Sequence, residues 1–267
     1  MDHMFPILTR LGPFFVYSYT AVFAIGLLLS WGITHRLARQ QALPRWQDAA
    51  LAALLAGWLG ARLGFVLLNW GYFAERPSQL LQLWQGGLTA YGGLLGGLIG
   101  LGTWCWWRKR PFLPYATLFS PALLLLIATG WAACWFEGCA YGAETTLGPL
   151  AANLPDTFGV FAVRHQTQLL GLGANLLLLT ALAYSPTRKL AHSPTCKLAN
   201  SHPFPLTLIL ANLIHLTLTF LRSDAAPLLL GWRLDSWLAL LFAIGGGMLL
   251  QYGRQQSGQV SKIASNK

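Results

Sequence analysis

Charge is what this chain has least of. Only 10% of its residues are charged, 8 acidic side chains against 18 basic ones. A soluble domain usually carries about a quarter, so a water-soluble fold is excluded for most of the length. No segment is left over that would make a separate soluble domain. Cysteine is scarce too, with residues 105, 134, 139 and 196 scattered along the chain. Their spacing resembles no paired zinc motif, and no metal or diffusible cofactor is implied. Cys134 and Cys139 are close enough to pair, and free apolar thiols are the alternative. The N-terminus lacks a strong positive n-region, and no A-x-A site closes the first apolar run. That run is also too long for the apolar core of a signal peptide, so it is expected to stay as the first helix.

What the chain does have is apolar length. Hydrophobic residues make up 55% of it, with 12 Trp. Apolar stretches near 14–34, 49–72, 86–107, 113–135, 166–184, 204–221 and 234–252 are each long enough to cross about 30 Å of hydrocarbon. The basic residues orient them. Arg36, Arg39, Arg45, Arg108, Lys109, Arg110, Arg188, Lys189, Lys197, Arg254, Lys262 and Lys267 fall on one side. Arg10, Arg76, Arg164, Arg222 and Arg233 fall on the other, and Arg62 lies inside a span. The positive-inside rule then predicts an all-α polytopic membrane protein with seven transmembrane helices, N-terminus outside and C-terminus cytoplasmic. Residues 1–253 form one integral membrane domain. Residues 254–267 form a polar cytoplasmic tail, expected to lack structure. The net charge of +10 reflects topology and anionic headgroups rather than nucleic acid, because no soluble basic patch interleaved with aromatics exists. Residues 185–203 contain a near-duplicate, SPTRKLA then SPTCKLA, placed in a cytoplasmic loop.

Polar groups in lipid are costly and mark candidate sites. Arg62, about two thirds along the second span, reads as an anion clamp for a lipid phosphate, or as a side chain snorkelling to the headgroups. Gly57, Gly60, Gly64, Gly92, Gly93, Gly96, Gly97 and Gly100 read as a close-packing device. The pairs Gly86-Gly87 and Gly92-Gly93 stand at a helix start, where exposed N–H groups suit an anion. Asn212, His215, Thr219 and Arg222 share one helical face. They read as the wall of a hydrated cavity, or Arg222 pairs with Asp224 and Asp235 as a structural ion pair.

Five blocks, GARLGFVLLNW (60–70), WQGGLTAYGGLLGG (84–97), GWAACWFEGCAYG (130–142), VRHQTQLLG (163–171) and FLRSD (220–224), occur in the order and spacing of one family. Together they resemble the prolipoprotein diacylglyceryl transferases. Those enzymes move the diacylglyceryl group of phosphatidylglycerol to the lipobox cysteine thiol of a prolipoprotein and release glycerol phosphate. The resemblance places Arg62 at the Arg of G-G-R-x-G, Arg222 at an essential Arg, and Tyr19 at a functional Tyr of the first helix. Arg164, His165 and Gln168 match R-H-P-x-Q, with Gln166 in place of Pro. The family's H-G-G-L is Tyr91-Gly92-Gly93-Leu94 here. Its G-R-x-G-N-F-x-N-G-E-x-x-G runs from Gly130 to Gly142, so Trp131, Cys134 and Cys139 occupy the Arg, Asn and Glu positions.

The function this implies is diacylglyceryl transfer in a bacterial inner membrane, at the outer leaflet. Its partners would be phosphatidylglycerol, membrane lipid and a prolipoprotein signal peptide, with no nucleic acid. Catalytic roles are expected for Tyr91, Glu137, His165 and Arg222. Substrate-binding roles are expected for Tyr19, Arg62, Gly92, Gly93, Trp131, Arg164, Gln168 and His215. Arg62, Tyr91, Glu137, His165 and Arg222 are expected to line one cavity. The alternative is a repurposed homologue that binds anionic lipid or a lipidated partner; a small transporter fits less well, because the cytoplasmic halves are nearly all apolar.

Overall fold

A computed structural model describes residues 7–12, 14–82, 86–146, 148, 150–156, 158–184 and 203–265. The duplicated SPTRKLA and SPTCKLA lie outside the described residues. A short hairpin, β1 (Ile7–Leu11) and β2 (Phe14–Tyr17), precedes α1 (Ser18–Gln41). Then come α2 (Trp46–Leu68), the short α3 (Trp70–Ala74), α4 (Ala90–Trp107) and α5 (Phe112–Glu137). A second hairpin, β3 (Ala151–Pro155) with β4 (Phe161–His165), leads into α6 (Thr167–Tyr184). Helix α7 (Pro203–Thr219), a third hairpin, β5 (Leu228–Leu229) and β6 (Trp232–Arg233), and α8 (Leu234–Ser265) complete the order.

Four helices are long and apolar enough to cross a membrane: Ser18–Gln41, Trp46–Leu68, Phe112–Glu137 and Leu234–Gln255. Helices over 167–183 and 203–219 are apolar but shorter. Large side chains stand fully out from these helices, among them Leu28, Leu67, Leu177 and Met248. Exposed apolar surface on this scale marks a surface that water does not cover.

The boundaries depart from the apolar runs in physically clear ways. Residues 14–17 pair as a strand with Thr9–Leu11 rather than starting the first helix. Residues 86–89 are extended before α4, because Gly86 and Gly87 both adopt positive φ, 78° and 73°. Residues 253–265 continue α8 as helix, which corrects the expected unstructured tail.

The chain divides into two compact units. One is built from residues 37–119. There α2 and α4 pack through glycine. A Cβ added to Gly60, Gly92, Gly96 or Gly100 would run into backbone of the opposite helix. Small residues at this spacing let backbones approach closely where water provides no driving force. Thr89 secures the start of α4, with its N–H and hydroxyl both donating to Ala61 O.

The other unit comprises residues 1–36 and 120–267. Gly26 of α1 lies against Thr129 of α5, and Ser30 Oγ donates to Ala122 O at 3.2 Å. Helix α7 packs on both α6 and α8, and Gly246 lets α8 approach Pro205 and Ile209. Beyond the helix ends, the strand β4 has two neighbours. On one edge it pairs antiparallel with β3, Ala152 opposite Arg164 and Asn153 opposite Val163. On the other edge the chain following α5 joins it, with Thr145 N–H donating to Val163 O and His165 N–H to Ala143 O. The same strap reaches the end of α7: Ala143 N–H donates to Leu221 O, and Ser223 N–H donates to Tyr141 O. Three stretches distant in sequence are thereby brought together: 137–145, 161–168 and 219–224.

Candidate active site

Helix α5 ends at Glu137 and turns sharply. Gly138 and Ala140 take left-handed conformations, φ 75° and 55°. Cys134 and Cys139 pair as a disulfide across this turn. The carbonyls that the turn leaves over are taken up by α6. Thr167 Oγ1 donates to Ala140 O at 2.5 Å, and Gln168 Nε2 donates to Cys139 O at 2.8 Å. Both side chains are fully buried, so Gln168 holds the turn in shape.

Trp131 is buried with Ala140 and Leu218. Gly171 faces one side of its ring, and any Cβ there would collide with the indole. His215 lies 5.8 Å away between ring centroids, and the Arg222 guanidinium carbon sits 5.8 Å from the ring centre. The indole therefore packs directly beneath the Arg222 cation, an attractive arrangement.

Arg222 leads a network of paired charges. Its Nε and Nη2 donate to the two oxygens of Asp224 at 2.8 and 2.7 Å, a bidentate fork. Its Nη1 donates to Asp235 at 3.3 Å. Arg233 shares both carboxylates, donating through Nε to Asp235 at 3.1 Å and through Nη2 to the Asp224 carboxylate at 3.4 Å, while its Nη1 donates to the Asp224 backbone carbonyl at 2.7 Å. His215 Nε2 stands 3.8 Å from Asp235. The rest of the α7 stripe bonds within its own helix and, through Thr219, which accepts from Ser236 Oγ at 2.9 Å, to α8. Asn212 donates to Leu208 O, and Thr219 to Leu216 O.

Arg164 is buried at 5% exposure and lies 5.2 Å over the Tyr141 ring. Its Nη2 is 3.4 Å from Glu144 and 3.5 Å from Asp156. The Asp156 carboxyl is held below the usual carboxylate range, chiefly by the Val160 N–H, opposed by burial and helped by the Phe158 N–H and Arg164. His165 is pressed by Gly142, where a side chain would strike its backbone and Cβ. Glu137 is exposed at the end of α5. Between the α5 end (Glu137, Gly138, Cys139) and the β3–β4 hairpin (Pro155, Asp156, Gly159, Phe161) opens a cleft of about 530 Å³.

The 37–119 unit holds the remaining expected residues. Arg62 is buried at 3% exposure, and its fork is filled by backbone. It donates to Leu80 O at 2.9 Å, Gln79 O at 2.7 Å, Gly86 O at 2.6 Å and Gly87 O at 3.3 Å. Phe73 and Phe65 flank it at 5.2 and 5.9 Å. In this structure the guanidinium ties the 79–87 loop rather than standing open as a phosphate clamp. Gly86 and Gly87 contribute their carbonyls to it. Gly92 and Gly93 lie against α2, facing Gly60 and Gly57 or Ala61, and Tyr91 begins the same helix half-buried.

Sequence reasoning missed Arg233, Asp156 and Glu144 as participants. Arg233 and Asp235 stand two apart at a helix start, a signal for a shared ion pair that was available. Arg164 meets Glu144 and Asp156 only through strand pairing, which no local pattern discloses. Among the described residues, no three His, Cys, Asp or Glu side chains gather as a metal ion would require.

Comparison with known proteins bears on the family. The family model for prolipoprotein diacylglyceryl transferase matches residues 6–252. A phosphatidylglycerol–prolipoprotein diacylglyceryl transferase of Lactobacillus johnsonii is 33% identical over 153 residues, 56% of this chain and 55% of that protein. One of Parasynechococcus marenigrum is 31% identical over 144 residues, 53% of this chain and 52% of its own. One of Symbiobacterium thermophilum is 35% identical over 140 residues, 51% and 52% of the two chains. The chain thus spans about half the length of the curated relatives it matches.

Proposed function

The chain belongs to the prolipoprotein diacylglyceryl transferase family, and from that premise we propose that it moves the diacylglyceryl group of phosphatidylglycerol to a prolipoprotein cysteine. The thiol loses its proton to a base, and its sulfur forms a bond to the glyceryl carbon of the lipid. The carbon–oxygen bond to phosphate breaks, and glycerol phosphate leaves with the electron pair. Catalysis then needs a base for the thiol and cations for the phosphate.

Arg222 is the cation best placed to meet the phosphate, because it projects from the end of α7 beside the 137–145 strap. A phosphodiester would compete with the Asp224 carboxylate for the same fork, exchanging one bidentate oxyanion for another. Arg164 supplies the second positive centre. Glu137, at the start of the strap, and His165, whose N–H donates to Ala143 O, are the proposed bases, and Tyr91 contributes a hydroxyl donor. Tyr19, Trp131, Gln168 and His215 shape the lipid-binding surface. Gly92, Gly93 and Arg62 hold the backbone of the 37–119 unit in place. We read the chain as seven membrane crossings with the N-terminus outside, the site at the outer leaflet and the C-terminus in the cytoplasm of a bacterial cell. Charge asymmetry across the loops supports this orientation.

The observation that carries the proposal is the family match over residues 6–252. The test is complementation of a bacterium depleted of its own transferase. Growth with mature lipoprotein supports transfer. The repurposed-homologue reading is favoured by one observation, the Asp224 carboxylate filling the Arg222 fork. It is supported if the protein binds phosphatidylglycerol yet lipidates nothing.

A further inference from the structure

The turn between α7 and α8 carries a run of exposed apolar residues, 227–232, reading Pro-Leu-Leu-Leu-Gly-Trp. Leu228 is 69% exposed, Leu230 85% and Trp232 53%. The run forms the β5–β6 hairpin, with Leu228 opposite Arg233 and Leu229 opposite Trp232. Its two turn residues, Leu230 and Gly231, have φ 53° and 79°. Turns of this kind favour Asn, Asp or Gly at both central positions, and a leucine there is uncommon. A water-facing hairpin would gain from a polar residue at that tip. This one keeps its most exposed apolar side chain there instead.

We propose that the 227–232 hairpin dips into the membrane at this end of the helix bundle, its occupant being the headgroup–acyl boundary of the lipid. Four features fit that environment. The hairpin runs directly into α8, one of the helices long and apolar enough to cross the membrane. Its flank is aromatic: Trp232 lies 6.1 Å from Phe220 and 5.7 Å from Trp237, and tryptophan concentrates at the bilayer interface. Part of its backbone is already bonded within the protein, which lowers the cost of entering lipid. Trp237 Nε1 donates to Leu229 O at 2.9 Å, Leu234 N–H donates to Pro227 O, and Pro227 has no N–H of its own. Finally, every charge at its root is matched. Arg222 and Arg233 share Asp224 and Asp235, two cations against two anions. Unpaired charge would resist entry into a medium of low dielectric, and this network cancels its own. The inference rests on membrane embedding and not on transfer activity.

The test places a single fluorescent label at position 230. Leu230→Cys is made with Cys105 and Cys196 replaced by alanine and serine, labelled with an environment-sensitive probe, and reconstituted in phosphatidylcholine–phosphatidylglycerol nanodiscs. Met248→Cys on α8 and Asn153→Cys on β3 serve as lipid-side and water-side references. The expected result is blue-shifted emission at 230, with quenching by spin-labelled lipid severalfold stronger than at 153 and weak quenching by iodide. Iodide quenching equal to that at 153 would overturn the proposal, because the hairpin would then stand in water. Protection from both quenchers would also overturn it, since the tip would then be covered by protein, such as a second copy of this chain.

Discussion

At the residue scale, two arginines, one in each unit, stand in different surroundings. Arg222 is held by a carboxylate fork above a tryptophan ring, and Arg62 by four backbone carbonyls. These different settings give different expectations. Arg222→Ala removes a charge-assisted phosphate contact, and transfer should fall by about two orders of magnitude. Arg222→Lys should recover only part, because a single ammonium cannot reproduce the fork. Thermal unfolding of each variant, measured alongside, separates lost chemistry from the cost of leaving Asp224 and Asp235 unpaired. Trp131→Arg would place a family-like guanidinium at that position. It would bury a charge among Ala140, Leu218 and Gly171 and set it against Arg222. The expected outcome is lower yield of folded protein with no gain in lipobox-peptide transfer; a gain would contradict the packing seen here. Asp156 gives a pH prediction. Its folded pKa lies below the ordinary value, so it stabilises fully above about 4 and loses that contribution as pH falls through the folded value. Unfolding followed between neutral and strongly acidic pH should show this acid limb, and Asp156→Asn should flatten it. Of this residue-scale picture, the sequence made Arg62, Arg164 and Arg222 visible as candidates, because polar groups in apolar runs stand out. Asp224 and Asp235 were visible as partners of Arg222; those of Arg62 and Arg164 were not, because residues 79, 80, 86 and 87, and Glu144 and Asp156, meet them only through tertiary folding.

At the scale of elements, long apolar runs and glycine spacing were readable, and short strands were not. Gly57, Gly60, Gly92, Gly96 and Gly100 were legible as a packing device, and they form the α2–α4 contact. The three hairpins escaped notice because each strand has only two to five residues and sits beside a helix of similar composition. Helix α8 continues past Gly253 although its sequence turns polar there, since polarity alone does not end a helix. The glycine contact yields a comparison. Gly60→Ala places a methyl against Gly92 O, whereas Gly102→Ala points into open space. Thermal unfolding in detergent should show a loss of about 1–3 kcal/mol for the first, as overpacking costs, and little or none for the second. Equal effects would mean that α2 and α4 do not meet through these glycines.

At the scale of the whole molecule, scarce charge, apolar helices and one-sided basic loops give a multi-pass membrane protein of a lipid-modifying family. Within it, a disulfide and a buried tryptophan stand on the same compact unit as Arg164, His165, Gln168 and Arg222. The central claim is that this scaffold still performs transfer. It is tested most directly with purified protein in phosphatidylglycerol nanodiscs and a synthetic lipobox peptide, following glycerol phosphate release and peptide mass together. The expected result is stoichiometric release with a diacylglyceryl adduct on the cysteine, absent when phosphatidylethanolamine replaces phosphatidylglycerol and absent for Arg222→Ala. Folded wild-type protein that binds phosphatidylglycerol but yields neither product would contradict the claim.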